Sequence, residues 1–188
     1  MYILGDIGNS ETKLFLVNSK NRIIKYKNFP SKEINNKVLN NNFNSLTNDY
    51  SKIEKVLFCS VVPKSYSLIK KFLHKKIKKK CYEVKDLKLR SLMNIDVNYK
   101  QVGSDRLTNA IGLLNHKDNF IILDFGTATT FDVIIKKSYK GGVIAPGIKI
   151  SLNTLSDKAT LIPKINLKKI KNIIGIDTIS AVRSGFFW

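Results

Sequence analysis

Several residue types that build dedicated sites are scarce in this chain. Its 188 residues include two cysteines and two histidines. Cys59 and Cys81 have neither the short spacing of a zinc site nor a secretory context, so both are predicted to be reduced thiols. His74 and His116 are equally isolated. The sequence therefore predicts no dedicated transition-metal site.

Long apolar runs are also missing. No stretch approaches the roughly 18 consecutive apolar residues that a membrane-spanning helix needs. The first four residues lead at once into Gly5 and Asp6, without the basic start and apolar core of a signal peptide. We therefore expect a cytoplasmic protein with no membrane partner. A hydrophobic content of 43% with four prolines indicates a globular chain rather than a disordered one.

Acidic residues are few, and the net charge is +19. Lysine supplies almost all of the excess, since the chain has four arginines. Two interpretations are open: a polyanionic partner, or lysines on solvated surfaces of a protein from an AT-rich coding sequence. The second is favoured because no basic and aromatic pattern of a nucleic-acid module is present, so nucleic acid is not expected as a partner. The densest run, residues 70–80, predicts an amphipathic helix.

Two short segments, residues 6–12 and 124–130, share an Asp-x-Gly turn followed by small hydroxyl-bearing residues. The glycine lets backbone N–H groups approach an anion, the hydroxyls donate further bonds, and the aspartate holds or orients a cation. One such turn is a weak signal, because its aspartate often bonds only its own backbone. Two turns, 118 residues apart, predict a cleft for phosphate and metal.

The order of predicted elements is similar around the two turns, which indicates an α/β chain with an internal duplication. The first part is predicted to contain strands over 2–6, 13–17 and 22–29, a helix over 33–39, a strand over 55–60, a helix from about Pro63, and a strand over 82–84. A linker over 87–99 follows. The second part is predicted to contain a helix over 104–115, strands over 120–124 and 131–135, a hairpin over 136–140, a strand through 142–144, and a helix over 148–158.

The segment Gly103 to Arg106 precedes an apolar helical stripe and has two interpretations. Ser104 can be a helix N-cap, with Asp105 an acidic first-turn residue facing the helix dipole. Alternatively, Asp105 accepts a proton from a substrate hydroxyl while Arg106 pairs with an anionic group of the substrate. Local chemistry leaves both open. Residues 141–147 and 174–185 can likewise be ordinary turns and helix caps.

All of these pieces in one order resemble type III pantothenate kinase. The matching motifs are residues 6–13, 60–63, 103–110, 124–132, 141–148 and 174–185. The resemblance implies the duplicated ribonuclease-H-like fold of acetate kinases, sugar kinases, heat-shock ATPases and actin. It divides the chain into an N-terminal half, 1–102, and a region, 103–188, that holds the substrate helix and a second half. Because family members continue beyond the last motif, we expect that half to be incomplete and the chain to be C-terminally truncated.

The same resemblance implies ATP-dependent phosphorylation of pantothenate to 4'-phosphopantothenate, the first step of coenzyme A biosynthesis, by a homodimer. One alternative is a catalytically weak or inactive member that acts as a regulatory or nucleic-acid-associated accessory factor. Another is a different sugar or acid kinase of the superfamily, which leaves the Gly103 to Arg106 motif and Thr178 without an explanation.

The resemblance also assigns roles to individual residues. Nucleotide-binding residues are Asp6, Ile7, Gly8, Asn9, Ser10, Glu11, Thr12, Lys13 and Thr127. Pantothenate-binding residues are Tyr99, Gly103, Ser104, Asp105, Arg106 and Thr178. Asp105 is the catalytic proton acceptor, Asp6 helps to hold Mg²⁺ through the ATP phosphates, and Asp124 ligates K⁺ or NH₄⁺.

Two departures from the family pattern stand out. Ser104 replaces the usual alanine, a small change that we expect to be tolerated. Residues 159–163 read Ala-Thr-Leu-Ile-Pro, where the family usually has Thr-Ala-x-Leu-Pro, which changes local packing or the wall of the substrate pocket.

Overall fold

The computed structural model describes residues 1–114 and 118–188. Asn115 and His116 therefore lie outside the described residues, but the helix predicted over 104–115 already ends at Ile111, so its predicted end is wrong. The chain forms two compact units: unit 1 comprises Met1–Phe120 and Val133–Gly141, and unit 2 comprises Ile121–Asp132 and Gly142–Trp188. These units are defined by the contacts within each of them. The predicted halves, 1–102 and 103–188, are defined by the repeated order of motifs and stay a prediction.

The described residues form nine strands, five α-helices and four short 3-10 helices. The strands are β1 Tyr2–Ile7, β2 Glu11–Val17, β3 Ile23–Pro30, β4 Lys55–Ser60, β5 Cys81–Glu83, β6 Asn94–Ile95, β7 Phe120–Phe125, β8 Ala128–Ile135 and β9 Ser138–Pro146. The α-helices are α1 Asn36–Leu46, α2 Pro63–Ile77, α3 Ser104–Ile111, α4 Ile148–Lys158 and α5 Thr178–Phe187. The 3-10 helices are Ser31–Glu33, Tyr50–Lys52, Val84–Asp86 and Leu89–Ser91.

A five-stranded sheet in the order β3-β2-β1-β4-β5 is the centre of unit 1. β1, β2 and β3 pair antiparallel, whereas β4 and β5 run parallel to β1. Inward side chains such as Ile3 and Leu14 form a core with residues of α1 and α2, including Phe43 and Leu73. Phe58 packs directly over Gly5, where a Cβ would lie 2.0 Å from its ring. The predicted order of three strands, helix, strand, helix and strand is confirmed.

The helix predicted over 33–39 is observed as α1, which begins three residues later and ends at Leu46. Residues Ser31–Glu33 form a 3-10 helix, and the Asn35 side chain then caps α1 by accepting from the Val38 N–H at 3.0 Å. Leu39 and Phe43 are two of its buried residues, spaced one helical turn apart. The asparagine-rich sequence concealed this apolar stripe because most of its other residues are polar.

The predicted lysine-rich helix is confirmed as α2, which ends at Ile77, so residues 78–80 of the predicted run lie outside it. Pro63 occupies its first turn, where a missing N–H is tolerated, and Lys78 ends it in the left-handed conformation with φ of 53°. Ile69 and Leu73 are buried on the inner face of the helix. The lysines therefore extend along a helix whose stability comes from its apolar stripe.

The four-stranded sheet has the order β6-β9-β8-β7. β6 was predicted as part of a linker over 87–99. It pairs parallel with β9 through Asn94 and Ser138, next to an ion pair of 2.6 Å between Lys140 Nζ and Asp96 Oδ2. This pairing joins segments that are far apart in sequence, so no local pattern could indicate it.

The remaining elements agree closely with the predicted ones. The hairpin between β8 and β9 turns at Lys136 and Lys137, both with positive φ, as a tight turn requires. The predicted helix over 148–158 is confirmed as α4. Within the described residues, no helix is long and apolar enough to cross a membrane.

Candidate phosphate and substrate site

The first Asp-x-Gly turn joins β1 to β2 in unit 1. The Gly8 N–H donates to the Glu11 carbonyl at 3.0 Å, which closes the hairpin and leaves Asn9 and Ser10 at its exposed tip. Ile7 is fully buried, so this predicted nucleotide-binding residue presents only its backbone to a ligand. The turn is therefore a backbone loop anchored by a buried strand.

The side chain of Ser31 supports this turn from behind. Its Oγ donates to the Gly8 carbonyl at 2.6 Å and lies 2.9 Å from Thr12 Oγ1, and its backbone N–H donates to the Ser10 carbonyl at 3.0 Å. Thr12 is fully buried. The hydroxyl of this predicted nucleotide-binding residue is thus used to hold the loop.

Asp6 lies at the end of β1, beside Lys13 and the thiol of Cys59. Lys13 Nζ is 3.9 Å from Asp6 Oδ2, and Cys59 Sγ is 3.9 Å from Asp6 Oδ1. Burial raises the pKa of the Cys59 thiol to about 12, the nearby Ser104 hydroxyl opposes the rise, and the carboxylates of Asp6 and Asp105 add to it. Cys59 is therefore a neutral thiol with two carboxylates close by.

Asp105 occupies the first turn of α3. Its Oδ1 accepts the Arg106 N–H at 2.8 Å. A Cβ on Gly103 would lie 2.2 Å from Asp105 Oδ1, so a glycine at this position gives that carboxylate its space. The N-cap of α3 is Gly103, and the interpretation of Ser104 as the N-cap is wrong.

Ser104 instead fixes the start of α3 to the end of β4. It is almost fully buried, and its Oγ accepts the Ser60 N–H at 2.8 Å and donates to the Ser60 carbonyl at 2.9 Å. These bonds satisfy backbone groups at the end of a strand, where the sheet ladder no longer does so. The Ser104 Oγ also lies 3.7 Å from Cys59 Sγ, so the start of α3 contacts the same buried thiol that neighbours Asp6.

Tyr99 is tied to the segment that leads into Gly103. Its hydroxyl donates to the Lys85 carbonyl at 2.9 Å, while Lys85 Nζ donates to the Val102 carbonyl at 2.9 Å. Lys85 Nζ and the Arg90 guanidinium lie 5.2 and 5.7 Å from the centre of the Tyr99 ring. Burial raises the pKa of Tyr99, and the nearby Glu83 adds to the rise. The result is a neutral phenol flanked by two cations, an environment that suits an anionic substrate group.

The second Asp-x-Gly turn, in unit 2, is held by backbone contacts. The Gly126 N–H donates to the Ala128 carbonyl at 2.9 Å, and the Gly147 N–H donates to the Thr127 carbonyl at 3.0 Å. A Cβ on Gly147 would lie 2.3 Å from the Gly126 oxygen and 2.5 Å from the Thr127 oxygen. Asp124 and Thr127 are exposed. Gly147, from the predicted 141–147 motif, is thus the residue that permits this packing.

Thr178 is the exposed first residue of α5 in unit 2. The preceding Asp177 caps the helix by accepting the Ser180 N–H at 2.8 Å, and Ser180 Oγ accepts the Asp177 N–H at 3.1 Å. The hydrogen bond from the Ser180 backbone lowers the pKa of Asp177. A Cβ on Gly175 would lie 2.2 Å from the Ala181 nitrogen, so this glycine lets the preceding segment contact the helix. The cap interpretation of this motif is confirmed, and it fixes the position of Thr178.

The carboxylates expected to hold cations belong to different units, Asp6 to unit 1 and Asp124 to unit 2. No three histidine, cysteine or acidic side chains in that part of the chain form a group that could hold a metal ion. Asp6 and Asp124 each supply the carboxylate oxygens that hard cations prefer. This donor set fits a cation that takes its remaining ligands from phosphates, water or backbone carbonyls.

The profile of one protein family, type III pantothenate kinase, matches residues 2–188. A type III pantothenate kinase from Pelagibacter ubique is 62% identical over 188 residues, which is 100% of this chain and 76% of the relative. One from a Sulfurihydrogenibium species is 36% identical over 100% of this chain and 77% of the relative. The chain belongs to the type III pantothenate kinase family.

Two solved structures show the fold of this family member. A protein described as a Baf family transcriptional activator from Campylobacter jejuni has a TM-score of 0.53 at 22% identity, over 97% of this chain and 72% of that one. A protein described as a 2-dehydro-3-deoxygalactonokinase from Sinorhizobium meliloti has a TM-score of 0.55 at 9% identity, over 86% and 58%. The predicted α/β, ribonuclease-H-like fold class is confirmed.

Sequence reasoning missed the residues that support the site. Ser31 holds the backbone of the first turn, the Ser60 backbone bonds to the Ser104 side chain, and Cys59 contacts both Asp6 and Ser104. Isolated serines and cysteines are common everywhere in proteins, so none of them carried a signal. Ser60 alone stood inside a matched motif, residues 60–63.

Proposed function

We propose that this chain transfers the γ-phosphoryl group of ATP to the primary hydroxyl of pantothenate and so forms 4'-phosphopantothenate, the first step of coenzyme A biosynthesis. Membership of the type III pantothenate kinase family supports the proposal. The observation that carries it is that the buried Cys59 Sγ lies 3.9 Å from Asp6 Oδ1 and 3.7 Å from the Oγ of Ser104, the residue before Asp105. The aspartate of the first turn and the start of the helix that carries the predicted proton acceptor therefore meet at one buried thiol.

In this mechanism Asp105 accepts the proton of the attacking hydroxyl. The bond of phosphorus to the leaving oxygen is largely broken before the new bond forms, so the hydroxyl proton leaves late. A carboxylate of ordinary basicity is then sufficient. Positioning and electrostatic stabilisation supply most of the rate enhancement. Ser104 contributes to positioning, since it fixes the start of α3 to β4.

The nucleotide would bind to the first turn, residues 6–13, and the family resemblance adds Thr127. Mg²⁺ would be held through the ATP phosphates with the help of Asp6, and K⁺ or NH₄⁺ by Asp124. These cations would offset the negative charge on the transferring group. Lys13 Nζ, 3.9 Å from Asp6, adds positive charge at the same turn.

Pantothenate would contact Tyr99, Gly103 to Arg106, and Thr178. Its carboxylate suits the two cations beside the Tyr99 ring or the Arg106 guanidinium, whose planar donors match a carboxylate. A homodimer and a cytoplasmic location complete the proposal and rest on the family resemblance alone. The alternative of a regulatory, nucleic-acid-associated factor gains no support from the family match.

ADP release by the purified chain tests this function. We expect ADP formation that requires pantothenate and rises when K⁺ or NH₄⁺ replaces Na⁺. Sugars and short hydroxy acids serve as alternative acceptors that test the other superfamily activities. ADP release that is equal with and without pantothenate, in a preparation that binds ATP, would contradict the proposal.

A further inference from the structure

Three polar groups behind the first turn form a continuous hydrogen-bond chain. Ser31 is largely buried and Thr12 is fully buried. Thr12 Oγ1 and Ser31 Oγ are 2.9 Å apart, and Ser31 Oγ is 2.6 Å from the Gly8 carbonyl oxygen. The chain therefore runs from a side chain of β2, through the residue after β3, to the backbone of the turn.

The direction of this chain follows from the number of hydrogens. A serine hydroxyl has one hydrogen, and a carbonyl oxygen can only accept. Ser31 therefore gives its hydrogen to Gly8, and Thr12 must donate to Ser31. A hydroxyl that already accepts one bond donates more strongly, so Thr12 strengthens the bond to Gly8.

The bond to Gly8 fixes the orientation of one peptide group. In a trans peptide the C=O of Gly8 and the N–H of Asn9 point in opposite directions. Because Ser31 holds the Gly8 oxygen, the Asn9 N–H is directed away from Ser31. Within the described residues, this N–H forms no hydrogen bond, and Asn9 lies at the exposed tip of the turn.

We propose that the chain from Thr12 through Ser31 to Gly8 is a positioning device that aims the Asn9 N–H at the nucleotide phosphates. The proposal rests on the nucleotide site of the proposed function. Ser31 is a positioning residue in this scheme, because it acts through the backbone of the turn. Without it, the Gly8 peptide is free to rotate, and the N–H donor is no longer preorganised for an anion.

Nucleotide binding by the full chain tests this device. Isothermal titration with Mg²⁺ and either ATP or AMP compares ligands that differ in the β- and γ-phosphates. For Ser31→Ala we expect the Kd of ATP to rise about tenfold, the effect of losing one well-placed hydrogen bond. The Kd of AMP should stay within about twofold, since AMP lacks the phosphates that the turn holds.

Three further variants make the test specific. Ser31→Thr keeps the hydroxyl and should restore ATP binding. Thr12→Val removes only the donor to Ser31 and should weaken ATP binding by about threefold, a fraction of one hydrogen bond. Ser45→Ala is the matched control, because the hydroxyl of this exposed residue of α1 also donates to a backbone carbonyl, that of Asn42, at 2.9 Å. It should change neither Kd.

Two results would overturn the device: an unchanged Kd of ATP in Ser31→Ala, or equal weakening of ATP and AMP. If Ser31→Ala does not fold, the Kd values of ATP and AMP for Thr12→Val decide whether the hydrogen-bond chain positions the Asn9 N–H. The proposed function fails separately, if the wild-type chain binds ATP but forms no phosphorylated pantothenate. The binding comparison still decides on the device in that case.

Discussion

The two Asp-x-Gly turns have similar sequences but different supports. In unit 1 the turn follows β1, a central strand with a partner on each side, and Ser31 holds it through side-chain hydrogen bonds. In unit 2 the turn follows β7, an edge strand, and Gly147 holds it through close backbone packing. A short motif thus specifies the turn and leaves the means of holding it to residues elsewhere.

Equivalent positions of the two turns also have different partners. The Thr12 hydroxyl bonds to Ser31, whereas the Thr130 hydroxyl lies 3.5 Å from Oδ2 of the fully buried Asp132. Lys13, which contacts Asp6, corresponds to Phe131. A positive charge that can attract an anion therefore follows the first turn, whereas an uncharged aromatic residue follows the second.

The largest expected effect is on kcat and comes from Asp105, which is proposed to act in the chemical step and not in ATP binding. Asp105→Asn removes the proposed proton acceptor, and kcat should fall by about 10²- to 10⁴-fold. The Kd of ATP should change little, because the phosphate turn is intact. Steady-state kinetics and titration measure both values. Asp157→Asn, an exposed change in α4, is the matched control, and near-normal turnover of Asp105→Asn would show that the assigned base is wrong.

A glycine substitution tests the backbone support of the second turn. Gly147→Ala places a methyl group 2.3 Å from the Gly126 oxygen, so the turn must move, at a cost of about 1–3 kcal/mol in the free energy of unfolding. Gly185→Ala is the matched control, since a Cβ at this helical position would meet nothing within 4 Å. It should stabilise by about 0.5–1 kcal/mol. Urea unfolding measures both, and equal stability of the two variants would remove the proposed role of Gly147.

The buried thiol gives a test of the electrostatics beside the first turn. The pKa of Cys59 is about 12 in the folded chain, against 9.0 for an ordinary thiol. The folded state keeps its proton where the unfolded state loses it, so this group's contribution to stability is full below pH 9 and declines as the pH rises towards 12. In a Cys81→Ala chain, alkylation at pH 8 should be slow until the protein unfolds.

Asp6→Asn sharpens the same test, because it removes one of the carboxylates that raise the pKa of Cys59. The alkylation rate of the folded chain should then increase at high pH. Asp49→Asn, at an aspartate that bonds Ser51 and Lys52 on the surface, should leave it unchanged. An equal rate in Asp6→Asn and the wild type would mean that Asp6 does not act on this thiol.

The smallest expected effect concerns Lys13. Its side chain and that of Asp6 are both more than 40% exposed and 3.9 Å apart, so the ion pair contributes less than about 1 kcal/mol to stability. Lys13→Met should unfold at nearly the wild-type urea concentration and bind ATP more weakly. A large loss of stability with normal ATP binding would make Lys13 a structural residue rather than a ligand residue.

Sequence patterns predicted the elements whose signals are local. The alternation in β1 and β2 and the stripe of α2 carried enough information to place these elements within a few residues. β6 was not predicted, because it pairs with β9 at Ser138, in a segment far away in the sequence. The motifs named Asp6 and Asp105, but neither the Ser31 bond to Gly8 nor the Ser104 bond to Ser60 has a sequence signature. Such bonds depend on where separate elements meet.

The central claim is that Asp105, beside the first turn, directs the phosphoryl group of ATP to pantothenate. Mass spectrometry of the small-molecule products after incubation with ATP, Mg²⁺, K⁺ and pantothenate tests it most directly. The account predicts pantothenate that carries one added phosphate, in amounts equal to the ADP formed, and almost none with Asp105→Asn. ADP without phosphorylated pantothenate, or equal product from the wild type and Asp105→Asn, would contradict it.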